Sequence, residues 1–446
     1  MQEWSNRIIL VLIITYITTQ FYSPPVLYMI TVFLTTLVML VSMIVSKNLP
    51  RIFSGTMLGI STIILFVQKA GFDVWAESIT KNLPLVCVII VVPILTVPIE
   101  IGKYDDYIAQ FTSKFNGKPQ LLYIFLSSTF YILGPITNLG SIHIIHSMVK
   151  RLNLPVEFLG RLYSRGFSLN NTWSPYFASV FLVVYYLNIP MMNFLPFGLL
   201  LSFFQFWTSN ILFSLKEKNS INFEAIEPNA NIHTKKLYEL LFFLLLLSGT
   251  IFFLEANSTI NVSVLIIIAA IVYSSIWGKY LGEFRRFIKE AILYRKNIMP
   301  SQANEVSLFL SAGFFGVVLS KTVISDYFSY LWTQISHLSI LLLILFTIAL
   351  VGVLSFVGIH QIVIITAILS SVSATKLGLN DITFAMILLS SWAVAGTVSP
   401  ITPTNVVTSN IINVDVYQII LKWNLLYTAL IICVHTMVIY CVHLLL

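Results

Sequence analysis

Thr172, Ser174 and Pro175 interrupt an apolar stretch as Thr-x-Ser-Pro, and the same pattern returns 225 residues later as Thr397, Ser399 and Pro400. Amide and hydroxyl side chains crowd both places: Asn170 and Asn171 precede the first motif, and Thr402, Thr404 and Asn405 follow the second. Two other apolar stretches have polar, glycine-containing centres. One runs from Gly134 to Gly140 and carries Pro135, Thr137 and Asn138; the other runs from Ser355 to Gln361 and carries Gly358 and His360. The chemistry these residues offer is coordination. Each proline removes a backbone donor and frees an upstream carbonyl, while Thr, Ser and Asn add oxygens and amide groups. Half-helix N-termini carry partial positive charge suited to an anion, and freed carbonyls suit Na+.

Each residue has a plainer reading too. A Ser-Pro or Thr-Pro pair in a membrane helix can be a kink with its hydroxyl bonded back to a carbonyl. Asn138, Asn170, Asn171 and Asn405 can be interhelical glue worth about 0.6 kcal/mol apiece. Repetition at matching positions favours a site over coincidence. His360 is the one titratable side chain in the four polar centres, able to carry a proton, contact an anion or pack neutrally. His143 and His146 lie just beyond the first centre. Arg161 and Arg165 fit a cytoplasmic charge anchor better than a solute ligand, although a guanidinium matches a carboxylate bidentately. Asp105, Asp106 and Asp326 fall in short connections, where capping or turn formation is their expected role. No Asp or Glu lies in the four centres, which favours Na+ coupling over a carboxylate proton relay.

These positions must be held by membrane helices. With 57% hydrophobic and 10% charged residues and a mean hydropathy of +0.90, the 446-residue chain cannot be a soluble globule. Its net charge of +7 belongs to loops, and no basic module interleaved with aromatic residues exists to bind nucleic acid. Cys87, Cys433 and Cys441 lack the spacing of a metal site or disulfide framework. The first apolar run ends in Ser23-Pro24-Pro25 rather than a cleavage site, so it reads as a retained span. The expected fold is all-α and polytopic, with about eleven transmembrane helices and two re-entrant helical hairpins at 120–149 and 338–374. Residues 158–187 and 382–411 are expected to be broken helices.

Charge tests that layout. With the N-terminus cytoplasmic, 21 of the 25 Lys and Arg fall on the cytoplasmic side, leaving Lys69, Lys81, Lys321 and Lys376 outside. The first hairpin then opens to the cytoplasm and the second to the outside, which makes an inverted repeat. Matches at the 225-residue offset include Leu152 with Leu377, Leu154 with Leu379 and Asn188 with Asn413. Upstream the offset becomes 220, pairing Asp106-Tyr107 with Asp326-Tyr327.

The arrangement resembles the ion transporter superfamily, which includes citrate and divalent-anion symporters, arsenite permeases and the large membrane subunit of TRAP transporters. Ser399-Pro-Ile-Thr-Pro-Thr-Asn405 is similar to a Ser-Pro-x-x-x-x-Asn element of some of those permeases, and Gly358-Ile-His360 resembles a Gly-x-His at their second hairpin. Divalent-anion symporters carry Ser-Asn-Thr where this chain has Asn170-Asn171-Thr172, a departure from the dicarboxylate signature. The resemblance implies an elevator motion of a transport domain against a scaffold, and a homodimer.

The expected organisation is an N-terminal span (1–25), scaffold parts at 26–118 and 237–337, transport parts at 119–214 and 338–446, and a cytoplasmic linker at 215–236. The expected function is a secondary active transporter in the plasma membrane for a small anionic organic solute. It would be coupled to Na+ or H+, with no cofactor, no resident metal, and solute and lipid as partners. The alternatives are an integral-membrane enzyme of envelope glycan or lipid assembly, for which no nucleophile-base pair or phosphate loop is present, and a channel-like protein.

Overall fold

A computed structural model describes residues 2–104, 107, 112, 115, 117–218 and 235–446. Asp105, Asp106 and most of the 215–236 linker lie outside the described residues. Every regular element among the described residues is helical. In chain order they are α1 (Gln2–Phe21), α2 (Pro25–Val45), α3 (Asn48–Val67), α4 (Phe72–Thr80), α5 (Leu83–Val91) and α6 (Thr96–Ile101). There follow α7 (Pro119–Thr137), α8 (Gly140–Val149), α9 (Val156–Ser168), α10 (Ala178–Leu187), α11 (Met191–Leu212), α12 (Lys235–Asn257) and α13 (Val262–Tyr280). The rest are α14 (Phe284–Ser320), α15 (Val323–Leu338), α16 (Ile340–Phe356), α17 (Gln361–Ser371), α18 (Asp381–Val398), α19 (Pro403–Ile412) and α20 (Leu425–Leu445). Among the described residues, ten helical stretches are long and apolar enough to cross a bilayer, and four shorter apolar helices accompany them. The protein is an all-α polytopic membrane protein. Only helices suit such a chain outside a closed barrel, because each backbone group must find its partner within the segment.

The repeat seen in the residues is also present in the backbone. At the 225-residue offset, α9 and α18 begin at Val156 and Asp381, and α10 and α19 end at Leu187 and Ile412. Asn188 and Asn413, which follow those ends, both take the left-handed conformation, with φ of 53° and 51°. The 3-10 turns Lys150–Leu152 and Thr375–Leu377 match at the same offset, and the next residues, Asn153 and Gly378, have φ of 44° and 71°. At the 220-residue offset Asn138 and Gly358, in the turns after α7 and α16, both have positive φ, at 47° and 108°. Positive φ is accessible mainly to Gly, and among other residues to Asn and Asp, so these matched sites share a conformational demand as well as a residue class.

The chain divides into two compact units. The first holds residues 1–97, 250–334 and 362–377. Its organising element is α14, which packs on α1 to α5. Small residues let these helices approach closely, as membrane helices must when lipid supplies no hydrophobic drive between them. Ser46 Oγ lies 2.7 Å from Ser307 Oγ and donates to the Ala303 carbonyl at 2.9 Å. Gly313 leaves room for Asn82, whose amide donates to the Phe309 carbonyl at 2.8 Å.

The second unit holds residues 98–249, 335–361 and 378–446. Its centre is α18, which packs against α9, α10, α11, α16 and α20. An 18-residue apolar stretch within Asp381–Ile412 is 94% buried, against 22% for the like stretch within Tyr238–Asn257, so the helix leading into the second break is enclosed by protein rather than lipid. That enclosure is what irregular backbone at membrane depth requires.

One connection departs from expectation. Asp326 stands in the first turn of the 16-residue helix α15 rather than in a short turn. Its buried residues Ser325, Trp332 and Ser336 recur at helical spacing, with Tyr327 and Tyr330 exposed, so a single face is covered. This pattern is too polar to signal a span and too short to stand out as a helix in composition.

Candidate functional site

The first break opens where α9 gives way to a 3-10 turn, Leu169–Thr172, and α10 resumes at Ala178. Side chains from neighbouring helices satisfy much of its backbone. Ser202 Oγ of α11 donates to the Leu169 carbonyl at 2.9 Å, and Ser179 Oγ of α10 donates to the Asn171 carbonyl at 2.8 Å. The Asn170 amide donates to the Phe130 carbonyl of α7 at 3.0 Å, one turn before Pro135. Thr172 Oγ1 turns back to the Leu169 carbonyl at 3.2 Å. The close fit depends on glycines: a Cβ at Gly134 would stand 2.1 Å from Asn170 Nδ2, and one at Gly198 would stand 2.5 Å from the Thr172 carbonyl oxygen. Three buried atoms of this break, Asn170 Oδ1, Trp173 Nε1 and Ser174 Oγ, have no hydrogen-bond partner among the described residues. Trp173 is held by stacking on Tyr131, ring centres 4.9 Å apart.

The second break runs from Ser399 to Thr402, between α18 and α19, with Pro403 opening α19 where its missing N–H costs nothing. Asn405 closes it. Its amide nitrogen donates to the Gly396 carbonyl at 3.0 Å and the Ser399 carbonyl at 2.9 Å. Thr402 Oγ1 donates to the Ser399 carbonyl at 3.1 Å, and Ser399 Oγ accepts from the Ile401 N–H at 3.4 Å. Thr397 Oγ1 donates to the Val394 carbonyl at 2.8 Å and lies 2.9 Å from Thr428 Oγ1 of α20. Thr404 is buried in the first turn of α19.

The two breaks meet inside the second unit. Ser164 of α9 donates to Asn405 Oδ1 at 3.1 Å, so a residue one turn before the first break holds the side chain that closes the second. The amide of Asn171 faces Gly396, where a Cβ would lie 3.7 Å away in ordinary contact. Asn170, Asn171, Thr172, Ser174, Thr397, Ser399, Thr402 and Asn405 therefore share one buried core. Thr137 and Asn138 remain within the helix pair α7–α8. Thr137 Oγ1 bonds back to the Leu133 carbonyl at 2.9 Å, and the Asn138 carbonyl accepts from Ser141 N–H and Oγ at 3.0 and 2.6 Å. That pair reaches the first break through Phe130 and Gly134 instead. His360 is buried in the turn between α16 and α17.

Two buried clusters have no signature in the sequence. Arg165, 1% exposed, forms a bidentate pair with Glu217, Nη1 and Nη2 each 2.9 Å from a carboxylate oxygen. Its Nε donates to Asn424 Oδ1 at 2.8 Å, its Nη2 donates to the Trp423 carbonyl at 2.8 Å, and its guanidinium lies 4.8 Å from the Tyr427 ring centre. Arg165 is thus committed to protein partners. Arg161 joins Glu157 at 2.5 Å and approaches Glu217 at 3.4 Å. Glu217 belongs in sequence to the start of a polar linker, where a carboxylate gives no hint of burial.

His435 of α20 is fully buried, with Nδ1 2.7 Å from Ser390 Oγ and Nε2 3.3 Å from the Leu201 carbonyl. A carbonyl can only accept, so Nε2 carries the hydrogen and Nδ1 accepts from the serine. The pair ties α18, α11 and α20 together.

These features define an enclosed, doubly broken helical core within a polytopic membrane protein. None of the protein-family profiles, and none of the characterised protein sequences, compared with the chain matches it. Among solved structures the chain is similar to the YdaH transporter of Alcanivorax borkumensis, with a TM-score of 0.62 over 88% of this chain and 96% of that one. The two are 13% identical, so what they share is the fold.

Proposed function

We propose that this protein is a secondary active transporter that carries a small anionic organic solute across the plasma membrane, coupled to a cation. The observation that carries the reading is the packing of two duplicated Thr-x-Ser-Pro breaks into one buried core, with Asn171 facing Gly396 and Ser164 bonded to Asn405. Discontinuous helices near a repeat axis are where secondary transporters hold solute and ion. The N-termini of α10 and α19 supply partial positive charge for an anionic group. Asn170 Oδ1 and Ser174 Oγ, buried and without a hydrogen-bond partner among the described residues, are hard oxygen ligands of the kind Na+ takes. Likeness in fold to a structure described as a transporter agrees with this reading.

In this proposal residues 120–149 and 338–374 form re-entrant hairpins, the halves are antiparallel in the membrane, and the N-terminus is cytoplasmic. The transport role belongs to the second unit, which contains both broken helices, moving in the elevator manner that the superfamily resemblance implies. His360, Thr137 and Asn138 contribute at the hairpin turns, and the protein works as a homodimer. Proteoliposome uptake of a panel of radiolabelled mono-, di- and tricarboxylates, with Na+ and proton gradients imposed separately, tests it. Uptake of at least one carboxylate driven by one of the gradients is expected, and Asn171→Ala and Asn405→Ala should abolish it. Absence of gradient-driven uptake across the panel, or full activity in both variants, would refute the proposal.

A further inference from the structure

Two stretches of the second unit, Phe213–Glu217 at the end of α11 and Gln418–Asn424 leading into α20, are wound as π-helix. Wide winding of this kind is rare, shifts the hydrogen-bond ladder by one residue and survives where other contacts compensate, often at functional positions. Here one side chain serves both. Arg165 binds the Glu217 carboxylate of the first stretch, and the Trp423 carbonyl and Asn424 side chain of the second. The second stretch is seated closely on α9, since a Cβ at Gly160 would stand 2.5 Å from the Trp423 ring. From Asn424 the contacts continue: its carbonyl accepts from Thr428 Oγ1 at 3.0 Å, so Thr428 Oγ1 accepts in turn, at 2.9 Å, from the hydroxyl of Thr397, the first residue of the second Thr-x-Ser-Pro motif, whose single hydrogen is shared with the Val394 carbonyl.

We propose that Arg165 is a positioning residue for the second break, holding Thr397 in place through Asn424 and Thr428 while Glu217 fixes the guanidinium. Stability alone does not account for the cluster. Burying an arginine and a carboxylate costs their hydration, and apolar residues of similar volume generally serve stability as well or better. What the ion pair adds is direction. A planar fork with fixed donors sets the register of α20 against α9, whereas an apolar contact at the same place would let α20 slide. Ser164, the residue before Arg165, makes the separate bond to Asn405, so adjacent residues of α9 hold both ends of the second break.

That the break binds solute rests on the function proposed above; its placement by Arg165 does not, so the test reads placement without solute. The full-length protein in detergent is compared with the double variant Arg165→Met/Glu217→Leu by hydrogen–deuterium exchange, following a peptide across 394–406 and a control peptide across 48–67. The double variant removes both charges together, so no unpaired ion is left to unfold the protein. Expected is roughly five- to tenfold faster exchange across 394–406 with the control unchanged. Thr428→Val, which cuts the relay and leaves the ion pair intact, should reproduce the local change and remains informative if the double variant does not fold. Unchanged exchange across 394–406 in Thr428→Val, or in a folded double variant, overturns the proposal, as does an equal rise in both peptides.

Discussion

Gly134→Ala is the most pointed perturbation of the core, because the cost arises between two named groups. The new methyl would stand 2.1 Å from Asn170 Nδ2 and 2.9 Å from its Cγ, so the Asn170 side chain must leave its place. In leaving, it gives up the 3.0 Å bond to the Phe130 carbonyl, a net loss of about 1 kcal/mol, and strands its own buried amide at about 1–3 kcal/mol. The sum is about 2–4 kcal/mol, offset by up to about 1 kcal/mol from exchanging a helical glycine for alanine. Gly140→Ala on the paired helix is the control: its nearest neighbour is Thr137 Cβ at 3.6 Å, so the methyl fits. Thermal unfolding of the purified protein followed by tryptophan fluorescence should show a clear loss for Gly134→Ala and none for Gly140→Ala. The decisive measurement is the double-mutant cycle with Asn170→Ala, in which the clash has no partner and the cost of Gly134→Ala should fall below about 1 kcal/mol. Equal costs in both backgrounds would refute the contact as the cause.

Gly198→Ala should be worse tolerated, since its methyl would meet the Thr172 carbonyl oxygen at 2.5 Å and the Trp173 Cα at 3.0 Å, backbone atoms that cannot rotate away. A destabilisation of about 3 kcal/mol or a failure to express folded protein is expected, read by size-exclusion profile and unfolding midpoint. Gly396→Ala separates stability from transport. Its methyl lies 3.7 Å from Asn171 Nδ2, so the unfolding midpoint should stay within about 0.5 kcal/mol of the parent while carboxylate uptake falls, because the methyl narrows the space between the breaks. His435→Ala strands the Ser390 hydroxyl and leaves a cavity inside the core, and should cost about 2–4 kcal/mol in the same unfolding assay.

What the sequence makes legible here is local and periodic. Apolar runs give the helices, prolines and hydroxyls give the breaks, and the 225-residue offset that matches Asn188 with Asn413 as residues coincides with a left-handed backbone at both. Pairing across long separations leaves no such trace. Arg165 and Glu217 are 52 residues apart, Ser164 and Asn405 are 241 apart, and nothing in either segment names the other. Glycines were equally silent: Gly134 and Gly198 matter because of what rests on them, and Gly249, equally plain in sequence, faces nothing within 4 Å. Helix α15 escaped because its buried stripe of Ser325, Trp332 and Ser336 mixes hydroxyls with one aromatic, which hydropathy averages away.

The two breaks share one Thr-x-Ser-Pro pattern but differ in how they are satisfied, and that difference can be tested. In the second, Asn405, Thr402 and Ser399 turn polar groups onto the break's own backbone, and Ser164 of α9 adds one bond to Asn405 Oδ1. In the first, neighbouring helices satisfy the carbonyls while Ser174 Oγ and Asn170 Oδ1 have no partner among the described residues. A buried hydroxyl without a partner costs about 1–3 kcal/mol, so deleting it should do no harm to the fold. Ser174→Ala is therefore expected to match or slightly exceed the parent in stability, whereas Asn405→Ala, which loses three buried bonds, should cost about 2–4 kcal/mol. If the unpaired oxygens hold the coupling ion, the added stability that NaCl gives over choline chloride will be present in the parent and missing in Ser174→Ala. A destabilised Ser174→Ala that keeps its full response to NaCl would mean that the hydroxyl serves the fold, and that the ion lies elsewhere.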